Sequence, residues 1–235
     1  MGAFSDIMLI LGIETSGLLG SVALRRNGQC LETRSLEHKG RRHAQTLVLE
    51  LRDLLASAGS LPRDVDAVAV SRGPGSFTGL RVGLVCAKTF AYATGCQFVA
   101  VDTFAAVADQ APADLQSVWI TEDAQRGDLF VGNYCRDPLG HWSLVHPIEI
   151  VSAEQWLPSR IDGDEVMGRG LGRCDLSITR ARCLSVDPNA AAIAAIGQRM
   201  LEDRSGYPKD RFDPWQATPF YLRPCAAEEK RVRLK

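Results

Sequence analysis

No apolar run among the 235 residues approaches the roughly 20 that a membrane helix needs, so a membrane-spanning protein is not expected. Met1 to Asp6 carry no basic region leading into an apolar core, and position 6 is Asp where a myristoylation signal asks for Ser or Thr. The expectation is a cytoplasmic chain, neither exported nor anchored. A surplus of charge is also missing: 27 Lys plus Arg stand against 28 Asp plus Glu, a formal net charge of -1. Without a global basic field, any contact with RNA has to be local or shared with a partner. Seven cysteines (Cys30, Cys86, Cys96, Cys135, Cys174, Cys183, Cys225) show no C-x-x-C spacing. An odd, scattered set, partly in apolar stretches as at Cys86, reads as reduced core thiols rather than a disulfide or metal framework.

The familiar catalytic signatures are missing too. Leu80-Arg81 follow Gly79 where a P-loop would have Lys and Ser or Thr, and Gly75 directly precedes Ser76, which breaks the G-x-S-x-G elbow. His38 and His43, like His141 and His146, are five apart, a spacing that does not put both rings on one helical face. They read as solvated, with His38 and His146 in loops, and no Ser-His-Asp or Cys-His set assembles. What remains is ordinary globular composition, 46% hydrophobic and 23% charged. The length suits one large domain or two lobes of about 100 residues each.

Ile7 to Ile13 is a continuous apolar run, as in a central strand buried on both faces. Ser21 to Leu24 and Gln29 to Leu36 read as two further strands joined at the turn Asn27-Gly28, whose residues tolerate positive φ. From His43 to Ala58, apolar residues recur at three and four, which gives a helix that Gly59 ends. A strand at Val65 to Ser71, a glycine-rich loop, a helix at Leu80 to Thr94 and a strand at Phe98 to Val101 complete a mixed sheet with crossover helices. The second half begins similarly. Strand Ser117 to Ile120 leads to an acidic turn, Thr121-Glu122-Asp123, and a strand at Leu129 to Tyr134, an echo of the region around Glu14 that suggests internal duplication. Trp142 to Val151 supplies a third strand and Asn189 to Asp203 a closing helix, while the charged end from Ala226 to Lys235 is expected to be loosely ordered.

Gly73-Pro74-Gly75-Ser76-Phe77-Thr78-Gly79 has two readings. Its glycines permit close approach to a ligand, and a helix N-terminus beyond offers N–H groups to an anion, but a tight strand-to-helix turn accounts for them equally. Glu14, Thr15 and Ser16 could hold a metal-bound phosphate or simply satisfy turn backbone. The weak phosphate-loop candidates are thus Glu14, Thr15, Ser16, Gly73, Gly75, Ser76 and Gly79. The helix from Leu80 is apolar nearly all round, with only Arg81, Lys88 and Thr89 interrupting, and so needs cover on both sides. A subunit interface and internal burial both supply it.

Together Leu11-Gly12-Ile13-Glu14-Thr15-Ser16, the run Ser71 to Gly83, Ala124-Gln125-Arg126-Gly127 and Pro219-Phe220-Tyr221-Leu222-Arg223 resemble the TsaB family. Its members are bacterial subunits of the machinery that makes threonylcarbamoyladenosine at position 37 of tRNA. The resemblance implies an actin-like, two-lobed α/β fold of the Hsp70 and sugar-kinase class, each lobe a mixed sheet with flanking helices. Residues 1–110 would form the N-terminal lobe with the partner-binding helices, and 111–235 a reduced C-terminal lobe. It further implies a non-catalytic scaffold for the paralogous catalytic subunit TsaD, acting with the ATPase TsaE. Alone the chain would be a homodimer, and tRNA would be met only indirectly or within the complex. The expected partner surface is the stripe Leu47, Leu51, Leu54 and Leu55 with Leu84, Ala87, Phe90 and Ala91, closing a four-helix contact. TsaD carries two metal-binding histidines four residues apart, at positions that here are Thr103 and Val107, neither of which can bind the metal. TsaD also continues its first motif with Cys and acidic residues, where Gly17-Leu18-Leu19 stand here. No catalytic residue, metal or cofactor is therefore expected. An actin-like ATPase or kinase is the alternative, followed by a metallopeptidase.

Overall fold

The structure, a computed structural model, describes residues 8–36 and 43–223; His38, Cys225 and the charged end from Ala226 lie outside the described residues. Along the chain run β1 (Leu9–Glu14), β2 (Ser21–Arg26), β3 (Gln29–Ser35), α1 (His43–Ser57), β4 (Ala67–Ser71), α2 (Phe77–Thr94), β5 (Gln97–Val101), α3 (Thr103–Ala108), β6 (Ser117–Gln125), β7 (Asp128–Arg136), β8 (Trp142–Ser152), α4 (Ala153–Trp156), β9 (Glu165–Gly168), β10 (Arg182–Leu184) and α5 (Ala190–Glu202). They divide into two compact units, Met1–Gln110 with Asp187–Pro219, and Ala111–Val186 with Phe220–Lys235. The lobe expected over 111–235 is therefore interrupted, because α5 belongs to the first unit.

In the first unit a mixed sheet is ordered β3-β2-β1-β4-β5. β1 lies antiparallel to β2, with Leu11 opposite Leu24, and parallel to β4, with Leu11 opposite Val68. Every β1 residue is buried because both sheet faces are covered. On one side Leu11, Ile13, Val68 and Val70 pack under Leu47, Leu51, Leu54 and Leu55 of α1 and Leu84, Ala87 and Ala91 of α2. On the other, Ile10, Ala69, Val99 and Val101 meet Ile193, Ile196 and Met200 of α5. Burying side chains of this size is worth roughly 1.5–3 kcal/mol each, which explains why α5 returns to this sheet.

That arrangement overturns the expected partner stripe. Leu47, Leu51, Leu54, Leu55, Leu84, Ala87 and Ala91 are buried, and Phe90 is half-buried against the same cluster, so these residues form the core of the first unit. The sheet needs a cover, and the larger apolar side chains of both helices supply it. Facing outward instead are Val48 and Leu49 of α1 and Val85 and Tyr92 of α2. α2 also starts three residues before the expected Leu80, since the Ser76 side chain caps it by accepting from the Gly79 N–H at 3.2 Å. Asn27 (φ 52°) and Gly28 (φ 74°) make the expected hairpin turn.

The second unit holds a sheet ordered β10-β9-β6-β7-β8. β6 is antiparallel to β7 and parallel to β9, and both flanking pairs, β7 with β8 and β9 with β10, repeat the order and sense of the first sheet. The suspected duplication thus has a topological counterpart. Two mixed five-stranded sheets with flanking helices are the α/β fold that was expected.

Two details of this unit differ from the sequence reading. Thr121-Glu122-Asp123 is strand rather than turn: β6 continues to Gln125 past a bulge, and the chain reverses at Arg126-Gly127. His146 lies in β8 rather than a loop, its Nε2 3.0 Å from Glu149 Oε1. All six described cysteines are free; Cys86 and Cys96 are half-buried against the core of the first unit and Cys174 and Cys183 against that of the second, whereas the exposed Cys30 is not the core thiol expected. None of the described helices is long and apolar enough to cross a membrane.

Candidate functional site

The end of β1 and the glycine-rich loop are brought together as the candidate phosphate site required. Glu14, Thr15 and Ser16 meet the loop directly, yet all three are fully buried. The hydroxyl and N–H groups of Thr15 and Ser16 are engaged by the chain itself. The Ser16 hydroxyl and N–H both donate to Glu14 Oε1 at 2.5 Å, and the Thr15 hydroxyl donates to the Gly79 carbonyl at 2.9 Å. Ser76 N–H donates to the Ser16 carbonyl at 2.7 Å, and Gly79 N–H to the Ser76 hydroxyl.

The glycines have a steric cause in the same contact. A Cβ on Gly75 would lie 2.7 Å from Ser16 Cβ, one on Gly79 would overlap the Thr15 carbonyl oxygen, and one on Gly83 would overlap the Thr15 hydroxyl. Spaced by four, these positions form one ridge of α2 and its approach, laid flat on the turn after β1. Close helix-to-turn packing therefore explains the spacing without a phosphate.

Gly73 is fixed from another direction. Its N–H donates to the Thr103 hydroxyl at 3.1 Å, and Thr103 N–H returns a bond to the Gly73 carbonyl at 2.9 Å. Thr103 and Val107, which the resemblance set against TsaD's histidines, lie on α3 and are both buried, a helix that sequence reading did not foresee. Next to them, the Asp102 carboxylate takes Arg72 Nε on one oxygen and Arg211 Nη2 on the other, each at 2.9 Å. Arg211 is itself buried and also donates to the Ala100 carbonyl. This ion cluster ties the loop before Pro74 to the segment after α5. Sequence offered no sign of it, because its members are 30 and 109 residues apart. No group of three or more His, Cys, Asp or Glu among the described residues is arranged to hold a metal ion.

The second unit has its own buried charge. At the end of β6 the Glu122 carboxylate pairs with Arg169 Nη2 at 2.6 Å. Burial pushes the Glu122 carboxyl above the ordinary glutamate range, outweighing the neighbouring Arg169 that pulls it down. Nearby, Gln125 (φ 65°) and Arg126 (φ 60°) hold left-handed conformations. The hairpin is clamped by Arg223, which donates to the carbonyls of Ala124 and Gln125 and pairs with Asp128 Oδ2 at 2.5 Å. Two distant motifs, Ala124 to Gly127 and Pro219 to Arg223, are thereby one structural device.

Comparison with known proteins adds three findings. The model of a family described as TsaD, tRNA N6-adenosine threonylcarbamoyltransferase, matches residues 37–137. A protein of Escherichia coli (strain K12) named tRNA threonylcarbamoyladenosine biosynthesis protein TsaB is 33% identical over 137 residues, 57% of this chain and 58% of that protein. Its namesake in Bacillus subtilis (strain 168) is 28% identical over 150 residues, 64% of this chain and 65% of that protein. The chain thus matches less than two thirds of the length of either relative. A solved structure described as YeaZ from Pseudomonas aeruginosa superposes with a TM-score of 0.77 at 28% identity, covering 92% of this chain and 100% of that one.

Proposed function

We propose that this chain, a TsaB-type protein in sequence and fold, is a non-catalytic subunit of the assembly that forms N6-threonylcarbamoyladenosine in tRNA. Its role there is to bind and organise a TsaD-like catalytic paralogue, with a TsaE-like ATPase as a further member. The observation that carries the non-catalytic reading is Thr103. Where the catalytic paralogue would bring a metal-binding histidine, this hydroxyl is spent on holding Gly73, and the residue four further on is the buried Val107. The closed contact of Thr15 and Ser16 with the glycine ridge supports the same reading.

Partner docking falls to the outward faces of α1 and α2, where Val48, Leu49, Val85 and Tyr92 are exposed. Large exposed apolar side chains on adjacent helices are the usual mark of an interaction face. The same face would serve a second copy of the chain, so homodimer and heterodimer would compete.

The test is capture from native cell extract followed by reconstitution. Tagged chain is expected to retain a TsaD-like protein, and tRNA modification by the reconstituted set is expected to need this chain while the chain alone neither hydrolyses ATP nor modifies tRNA. Robust ATP turnover by repurified chain, or undiminished modification without it, would overturn the proposal.

A further inference from the structure

Two aromatic side chains of the first unit are unusually exposed for their size. Tyr92 at the end of α2 and Trp215 after α5 are each 74% exposed, and their rings meet edge to face, centroids 5.7 Å apart at 75°. They stand at the mouth of a cleft of about 360 Å3, within the range of small-molecule sites, whose wall also includes Gln97, Phe98, Arg204 and Phe212. The Arg204 guanidinium carbon lies over the Phe212 ring, 4.9 Å from its centroid, and Nη2 donates to the Gln97 side-chain oxygen. With its oxygen engaged by Arg204, the Gln97 side chain has its NH2 donors left to offer a ligand.

The lining discriminates among ligand classes. A cationic group would meet the Arg204 guanidinium, which is always charged. A wholly apolar occupant would bury the N–H donors of the guanidinium and the Gln97 amide beyond those in their mutual bond, and offer them no acceptor, at a desolvation cost. A flat ring bearing an anion satisfies both halves: the ring stacks on the indole, the amide donates to a ring or exocyclic acceptor, and the guanidinium takes the anion. We propose that the Tyr92–Trp215 cleft binds a nucleotide, with its base on Trp215 and its phosphate at Arg204. A free mononucleotide and one unstacked nucleotide of a single-stranded RNA present the same chemistry. The cleft is separate from the Glu14–Gly79 contact; it shares Tyr92 with the docking face proposed above, and a test on the chain alone lets the two readings fail separately.

The experiment titrates the intrinsic fluorescence of the full chain with adenosine monophosphate, adenosine, and a single-stranded adenylate hexamer. Saturable quenching by the monophosphate or by the hexamer is expected, and which of the two binds more tightly assigns the source. Trp215→Ala should weaken binding about tenfold or more, read by calorimetry because the reporter is lost. Arg204→Gln should weaken the phosphorylated probes and leave adenosine unchanged, and high salt should act in the same direction. Because Trp215 and Tyr92 are exposed, both Trp215→Ala and Tyr92→Ala should melt like the parent, which separates lost binding from lost folding. The proposal is overturned if no probe binds at millimolar concentration, if binding is indifferent to Trp215→Ala and Arg204→Gln, or if only a peptide quenches the indole.

Discussion

Gly83 lies so close to Thr15 that a methyl group on it would overlap the hydroxyl already donating to the Gly79 carbonyl. Overpacking of this kind costs typically about 1–3 kcal/mol, so Gly83→Ala is expected to lower unfolding free energy by that order in urea melts. Combining it with Thr15→Ala removes the clashing oxygen, and the two losses should then fall well short of their sum. Strict additivity in that double-mutant cycle would mean that the contact is loose and leave the glycine ridge without a steric cause. Glu122 makes a prediction of a different kind. Its carboxyl binds a proton more tightly in the folded protein than in the unfolded chain, so stability falls as pH rises from the ordinary glutamate value of 4.5 through the raised folded value. Glu122→Gln cannot lose that proton. Across the same window the stability of the variant relative to the parent should therefore climb with pH, and a flat difference from 4.5 to neutrality would show that Arg169 fully offsets burial.

At the scale of elements, α1 and α2 show how one amphipathic pattern admits two assignments. Leu51 reads as interface material in sequence and Val85 is not singled out, although each lies in an apolar stretch at helical spacing. In the structure Leu51 is 5% exposed within the sheet-facing core and Val85 is 63% exposed on the opposite side of its helix. Leu51→Glu should therefore abolish the cooperative melt, because it places an unpaired carboxylate in an apolar core. Val85→Glu should leave the circular dichroism melt within about 0.5 kcal/mol of the parent and sharply reduce capture of the TsaD-like partner. A Val85→Glu protein that captured the partner undiminished would move the docking face elsewhere. The β6–β7 hairpin carries the converse lesson. Its left-handed Gln125 and Arg126 are tolerated because Arg223, 98 residues later, holds the Gln125 carbonyl in place.

At the scale of the whole molecule, α5 decides what counts as a folding unit. Removing everything after Val186 would strip Ile193, Ile196 and Met200 from Ile10, Ala69 and Val99, leaving one face of the first sheet bare. Such a truncated chain is expected to aggregate and show no cooperative thermal transition; a soluble, cooperatively melting product would mean that the first sheet is complete without its returning helix. The sequence by itself determined the local features whose cause is local. The buried run of β1, the Asn27-Gly28 turn, the Gly59 helix end and the α/β alternation all follow from periodicity and backbone freedom within a few residues. The meeting of Glu14, Thr15 and Ser16 with the glycine loop was legible in outline for the same reason, as a strand end facing a helix start. Tertiary structure alone decided which helix face is inward, because a sheet selects the side with the larger buried area and periodicity cannot know where the sheet lies. It also decided that the glycine ridge is filled by Thr15 and Ser16, that β9 and β10 complete a second copy of the sheet, and that Asp102 gathers Arg72 and Arg211. Each of these depends on pairing between residues far apart in the chain, where burial and charge compensation are settled only once the elements are packed.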